Sequence, residues 1–282
     1  YLAGWLVKRF GGVEGASGEV VYEANVHAWM IVMFVMAIVM ISLGLYHTRM
    51  LPSGGAATSE ATSFKETFDK LVEVILDFFK KKHIWYYIAF IILYRFAEGF
   101  VMKIVPLFLK AGREIGGLGL SEQEIGIYYG TYGAAAFVLG SLLAGYYISH
   151  RGLKKTLFSL CCTFNLPFIA YTLLAIYQPT SGMLIGGAIV LEYFGYGFGF
   201  TSLTYFMMLF SNGKHQTAHY AICTGFMALG LMLPGMISGW IEESIGYRAF
   251  FVWIMLCTIP SFWATHLVRK NLTDNHSDNS SR

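Results

Sequence analysis

The chain has 282 residues, of which 56% are hydrophobic and 13% charged, about half the charged share of an ordinary soluble domain. That balance excludes a water-soluble globular fold and points to an all-α, polytopic membrane protein. A formal charge of +3 is too small to indicate a nucleic-acid partner. The partners expected are the lipid bilayer and whatever small solute the bundle handles.

Tyr1 to Leu6 is too short to span a bilayer and reads as the end of a helix that begins upstream, with no signal peptide before it. Lys8–Glu23 is polar and glycine-rich and reads as an external loop, so residues 1–23 hold that truncated helix end and the loop. Residues 24–46 form a first full span. Residues 47–82 then make a linker, flexible by composition at Pro52-Ser-Gly-Gly-Ala-Ala-Thr-Ser59. Within it, Ser63 and Glu66 read as a capping box opening an amphipathic helix over 63–82. Phe64, Phe68, Leu71, Val72, Ile75, Phe78 and Phe79 recur at helical spacing, and Lys65, Glu66, Asp69, Lys70 and Asp77 take the other face. Such a helix lies on a membrane surface or docks on a domain. Lys80, Lys81 and Lys82 close it, suited to anionic headgroups and to the helix C-terminus.

Six more spans are predicted over 83–268, at 83–109, 124–149, 156–177, 183–210, 219–241 and 249–268. The tail 269–282 is polar, and its Asn271-Leu-Thr273 is a glycosylation sequon by pattern alone. Thirteen Lys and Arg residues fall in the linker, the turn at Arg151, the turn at Lys214 and the tail, against five in the alternate loops. The linker and the C-terminus are therefore expected on the cytoplasmic side.

Charge inside the spans marks the candidate site. Arg95 and Glu98 sit near the middle of residues 83–109, where an ionised side chain costs several kcal/mol on insertion scales, so such residues face a bundle interior or a wet cavity. Three residues apart, they share a helix face and can pair. Either a structural ion pair or a polar path through the membrane fits. Glu192 opens Glu192-Tyr-Phe-Gly-Tyr-Gly-Phe-Gly199; Gly195 and Gly199 fall on its stripe, leaving open space beneath the carboxylate, with Tyr193 and Tyr196 as aromatic walls. A carboxylate above a glycine-lined gap suits a proton carrier, a binding group for a polar substrate, or a partner for Arg95. Tyr132 and Asn165, the latter just before Pro167, are further cavity candidates, although a mid-membrane Asn also glues helices; Lys103 snorkels. Glycine rows at Gly130, Gly133 and Gly140 and at Gly225, Gly230, Gly235 and Gly239, with Pro234 interrupting its helix, suit close packing and rocking. The cysteines Cys161, Cys162, Cys223 and Cys257 show no metal-ligand spacing and read as core. No phosphate loop, nucleophile elbow or His–carboxylate cluster is visible, so neither an enzyme, a cofactor nor a metal is expected.

Six spans after a long linker resemble the second half of a major facilitator superfamily transporter. The turn Gly145-Tyr-Tyr-Ile-Ser-His-Arg-Gly-Leu-Lys-Lys155 is similar to that superfamily's gating loop, with Ser149 in the Asp position and Leu153 in the first basic one. The resemblance makes Gly145, Arg151, Gly152, Lys154 and Lys155 a cytoplasmic gate. Glu192 to Gly199, Met207-Met-Leu-Phe-Ser-Asn212, Ala218-His-Tyr-Ala221, Gly235 to Gly246 and Tyr94-Arg-Phe-Ala-Glu98 together resemble the AmpG-type muropeptide permeases. That family imports peptidoglycan fragments with the proton gradient, and eukaryotic relatives carry acetyl-CoA. The likeness implies a proton-coupled permease of the inner membrane, with residues 24–46 as the last helix of an N-terminal half missing from this chain. Leu231 stands where those permeases have an Arg, and His219 replaces a Gln, both where ligand selectivity resides. A seven-helix receptor matches the span count but not the linker with its surface helix. A transporter-like sensor would bind ligand without moving it.

Overall fold

The computed structural model describes residues 2–12, 15, 17–50 and 64–271. The expected linker at Pro52–Ser59, the capping residue Ser63, the sequon beyond Asn271 and the rest of the tail lie outside the described residues. In chain order the α-helices are α1 (Leu2–Arg9), α2 (Gly18–Met50), α3 (Phe64–Phe79), α4 (Ile84–Tyr94), α5 (Phe96–Lys110) and α6 (Glu122–Ile125). They continue as α7 (Ala134–Arg151), α8 (Leu153–Asn165), α9 (Phe168–Tyr177), α10 (Gly182–Ser211), α11 (Gln216–Cys257) and α12 (Ile259–Asn271). Among the described residues there is no strand, as expected where a bilayer leaves backbone groups no water to bond.

The chain divides into two compact units. The first comprises residues 1–71 and 121–127. Here Leu6 and Val7 of α1 pack on Ala24 and Ala28 of α2, and Lys8 Nζ donates to Gln123 Oε1 at 2.8 Å. The predicted loop at Lys8–Glu23 is shorter than expected. Ser17 starts α2 early, its carbonyl accepting from the Val21 amide at 3.0 Å, with Glu19 in the first turn where a carboxylate complements the helix dipole. From Trp29 to Tyr46, α2 is apolar on nearly every side and almost wholly exposed, the signature of a helix whose solvent is lipid. Ser121 and Glu124 cap α6 reciprocally.

The second unit, residues 72–120 and 128–282, holds the main core. In it α10 packs on α7, α8, α9 and α11, while α11 lies along α4, α5 and α9, and α12 along α4 and α8. Close crossing of α7 and α10 requires glycine: a Cβ at Gly140 would meet the Phe194 carbonyl, and one at Gly197 the Phe137 carbonyl. Five helices, Gly18–Met50, Glu122–Arg151, Leu153–Tyr177, Gly182–Ser211 and Gln216–Lys270, are long and apolar enough to cross a membrane among the described residues.

Breaks in these helices refine the predicted spans. Residues 83–109 are two helices joined at Arg95 (φ −100°, ψ 9°). The third span passes through a π-helical stretch, Gly126–Gly133, before α7. The fourth breaks at Leu166–Pro167, as Pro167 requires. Pro234 does not end its helix; α11 runs through it, and the non-helical residue is Gly246 (φ 76°, ψ 161°). That left-handed dihedral suits glycine, and it separates the predicted spans 219–241 and 249–268. The amphipathic helix stops at Phe79 rather than Lys82, because the chain turns through His83 (φ 61°). Among the described side chains of its apolar face only Phe78 is buried, against Phe210, Phe226 and His219; Phe68, Leu71 and Ile75 are exposed.

Candidate functional site

Arg95 occupies the joint between α4 and α5, and that joint builds the site. Its Nε and Nη2 each donate to one oxygen of Glu98 at 2.5 Å, a two-pronged pair with residue exposures of 5% and 2%. Nη2 also donates to Tyr196 Oη at 3.3 Å, and the guanidinium lies 5.7 Å from the centre of the Phe200 ring. Two hydrogen bonds in a fixed fork hold an arginine's plane as well as its charge.

Breaking the helix at Arg95 frees a carbonyl, and the bundle satisfies it. Ser261 Oγ of α12 donates to the Tyr94 carbonyl at 3.1 Å and accepts from Asn165 Nδ2 at 3.2 Å. Asn165 Nδ2 also reaches the Cys161 carbonyl at 3.0 Å. Its Oδ1 is buried without a hydrogen-bond partner. Tyr94 Oη bonds Ser202 Oγ at 2.7 Å, and the Tyr94 ring stacks on Phe164 at 5.3 Å. Asn165 therefore joins α8 to α12, the helix-gluing role that its position also allowed.

Glu192 sits apart from that fork. It is 7% exposed, and the hydrogen bond found for it comes from Tyr171 Oη, 3.2 Å from Oε2. Partnership of Glu192 with Arg95 does not form, because Glu98 and Tyr196 take the guanidinium. The open space expected beneath Glu192 is also absent. A Cβ at Gly195 would meet the Thr163 carbonyl and Pro167, and one at Gly199 the Phe164 ring; the two glycines admit α8, not a solute. Tyr193 meets Tyr129 edge-on at 4.9 Å and Tyr196 at 6.3 Å, giving a row of tyrosines from the π-helical stretch to α10. Tyr132 is 53% exposed and outside this buried group, with its ring beside Tyr128. Lys103 is exposed.

Tyr171 and Tyr129 were not singled out in the sequence, where a tyrosine in an apolar run looks like any core aromatic. The π-helical turn carries no local signal beyond Gly126, Gly130 and Gly133.

At the turn between α7 and α8, Gly152 has φ 75° and its amide bonds the Ile148 carbonyl at 2.8 Å, a helix stop that favours glycine. Arg151 lies 5.6 Å from the Tyr147 ring centre, and Tyr147 Oη bonds Ser159 Oγ across the turn at 3.2 Å. Gly145 faces open space. Lys154 and Lys155 begin α8.

A His–carboxylate cluster, invisible in the linear sequence, forms where α3 meets the start of α11. Glu73, Asp77 and His215 bring ligand-type atoms within 4.8 Å of one another. Lys214 Nζ already lies 3.3 Å from Glu73 Oε1, so the grouping works as a surface ion cluster. Beside it Lys81 Nζ donates to the Phe210 carbonyl at 2.7 Å, and burial pulls its ammonium below the usual lysine range.

Residues 91–281 match the family model of the Major Facilitator Superfamily. The chain is 24% identical over 202 residues to the "Anhydromuropeptide permease" of Escherichia coli K12, covering 72% of this chain and 40% of that protein. It is 24% identical over 267 residues to an "Uncharacterized protein" of Haemophilus influenzae, covering 90% and 61%. With the "Putative transporter AmpG 2" of Rickettsia typhi it shares 23% over 203 residues, 69% and 46%. The chain thus spans between 40% and 61% of the length of these relatives. The family model covers more than half of the chain and includes every residue of the buried polar group, from Tyr94 to Ser261. The chain belongs to the Major Facilitator Superfamily.

Proposed function

We propose that this chain forms the C-terminal half of a proton-coupled permease that imports a muropeptide-like solute across the bacterial inner membrane by alternating access. The observation that carries the reading is the Arg95–Glu98–Tyr196 fork at a helix break, buried with a second acid, Glu192, in the same bundle. Charged groups at such depth are kept where they serve a solute or proton path, and a broken helix is a common way to build one. The solute class rests on the name of the Escherichia coli relative. A second half of the transporter would close the site, with residues 24–46 as that half's last helix.

In this scheme Arg95 and Glu98 form a neutral, closed pair in one state. In the other state Arg95 turns to an anionic group of the solute, and a proton on Glu98 or Glu192 replaces its charge. Tyr193 and Tyr196 supply hydroxyls, and the α7–α8 turn with Arg151, Gly152, Lys154 and Lys155 is the cytoplasmic gate. The linker and tail lie on that same side.

Glu192→Gln in the full-length transporter tests the reading. Gln keeps an oxygen for the Tyr171 hydroxyl but cannot carry the exchangeable proton. Protonophore-sensitive uptake of labelled anhydromuropeptide should disappear at unchanged protein abundance. Uptake at the wild-type rate would remove Glu192 from the mechanism. A wild-type protein that binds the solute without accumulating it would make the chain part of a sensor.

A further inference from the structure

Tyr171 is fully buried on α9, and the placement of one proline and one glycine brings its hydroxyl to Glu192. A Cβ at Gly195 would meet Pro167 and the Thr163 carbonyl, so glycine lets the α8–α9 break sit directly on α10. Tyr171 lies four residues beyond Pro167, and Glu192 three before Gly195, each about one helical turn from that crossing. The two helices leave it antiparallel, and phenol meets carboxyl one turn on, Oη donating to Oε2 at 3.2 Å. The other side of Tyr171 is fixed by α11. Its ring stacks on Phe251 at 5.9 Å and 27°, and Phe251 in turn meets Phe108 of α5 edge-on at 4.8 Å. Beside it, Thr172 Oγ1 donates to the Phe251 carbonyl at 3.1 Å. A buried hydroxyl costs free energy unless it is bonded; here α11 sets the plane of the phenol and an acid of α10 takes its proton-bearing end.

The charged and titratable groups that act on Glu192 come from four elements. They are Glu98 from the α4–α5 joint, Tyr129 from the π-helical stretch, Tyr171 from α9, and Tyr193 and Tyr196 on α10 itself. Glu98 is committed to Arg95. Tyr196 accepts from Arg95, and Tyr129 and Tyr193 bond each other. Tyr171 is the phenol that bonds the acid itself.

We propose that Tyr171 is the positioning residue for the proton of Glu192: it orients the carboxyl and sets the pH at which that proton is bound and released. The inference rests on the reading of Glu192 as a proton carrier. A hydroxyl that donates to a carboxylate favours the charged form. Glu192 takes a proton from the outer side and gives it up to the cytoplasm, while Tyr171 keeps its own proton throughout. The phenol thus tilts the acid toward release without touching the solute.

The test is Tyr171→Phe in the full-length transporter, reconstituted in proteoliposomes. Protonation of Glu192 is read by infrared titration, its carboxyl band being assigned by its loss in Glu192→Gln. Uptake of labelled anhydromuropeptide is read against external pH at fixed internal pH. Without the donor, the carboxyl should hold its proton to higher pH. The infrared midpoint and the alkaline limb of uptake should both rise by roughly half to one pH unit, the worth of one hydrogen bond, with KM for the solute at acid pH unchanged. Thr172→Val, which loosens α9 from α11 without touching the acid, should lower the melting temperature and leave both curves in place. An infrared midpoint that does not move in Tyr171→Phe would overturn the proposal, as would an equal shift in Thr172→Val, since packing alone would then account for it. Should Tyr171→Phe fail to fold, a ring-fluorinated tyrosine at position 171, a stronger donor of nearly the same shape, should move the midpoint down; an unmoved midpoint would again overturn it. Wild-type uptake by Glu192→Gln would sink the transport reading instead. The infrared curve tells the two failures apart, because it reads the Tyr171–Glu192 bond without any solute.

Discussion

Two clusters in the second unit bring acids and bases together, and they differ in almost every physical respect. The Arg95–Glu98 pair is 6% and 2% exposed by side chain, held in a two-pronged fork, and placed where a helix is broken. The Glu73–Asp77–His215–Lys214 cluster has side chains 20% to 77% exposed and contacts of 3.3 to 4.0 Å. Charge type is much the same in both; surroundings set the consequence. An exposed pair is worth at most about 1 kcal/mol because water and salt compete with it. A buried pair adds little net stability over an apolar replacement, yet losing one member strands a charge at large cost. Arg95–Glu98 is therefore fragile to single changes, while the surface cluster tolerates them.

The sharpest test of that contrast is Glu98→Gln. It leaves the Arg95 guanidinium buried with Tyr196 and a neutral amide, at an expected cost of about 3–5 kcal/mol, read as a lower melting temperature and reduced abundance of the full-length protein. Replacing both members, Arg95→Met with Glu98→Leu, should restore most of the stability while uptake stays lost. If the double variant is less stable than Glu98→Gln alone, the pair is a net stabiliser and the contrast with the surface cluster weakens.

Next in size is Ser261→Ala. It removes the hydroxyl that satisfies the Tyr94 carbonyl and accepts from Asn165. Two buried polar groups then lose a partner, at about 1–3 kcal/mol in thermal melting. Little loss would mean that the α4–α5 joint holds without its α12 brace.

The helices were legible because apolar runs of about 20 residues announce themselves, and Arg95, Glu98 and Glu192 stood out as charges within such runs. What they contact was not legible. Spacing matched Arg95 with Glu98 and charge alone offered Glu192; in the structure Glu98 and Tyr196 hold the guanidinium. Gly195 and Gly199 looked like an opening because a missing side chain reads the same whether a solute or another helix fills the gap. Phe164, Thr163 and Pro167, some thirty residues away in sequence, fill it. The His215 cluster joins residues more than 130 positions apart, beyond any local pattern. Periodicity predicted an amphipathic α3; among its described side chains it is Phe78 that is buried, which no local pattern marks.

At the small end of the scale stands Glu73→Gln. Glu73 is 53% exposed by side chain and 3.3 Å from Lys214, so its loss should cost less than about 1 kcal/mol. The cost should also shrink between low salt and 1 M salt, as the screening length falls to about 3 Å. A buried pair is screened far less, so the Glu98→Gln penalty should hardly change over that range. Melting curves of both variants at two salt concentrations measure this directly. A salt-insensitive Glu73 effect of 2 kcal/mol or more on that scale would mean that α3 is clamped at this junction by more than surface charge. The linker helix would then count among the rigid parts of the bundle, and the contrast between a stiff interior pair and a soft surface one would fail at its weaker member.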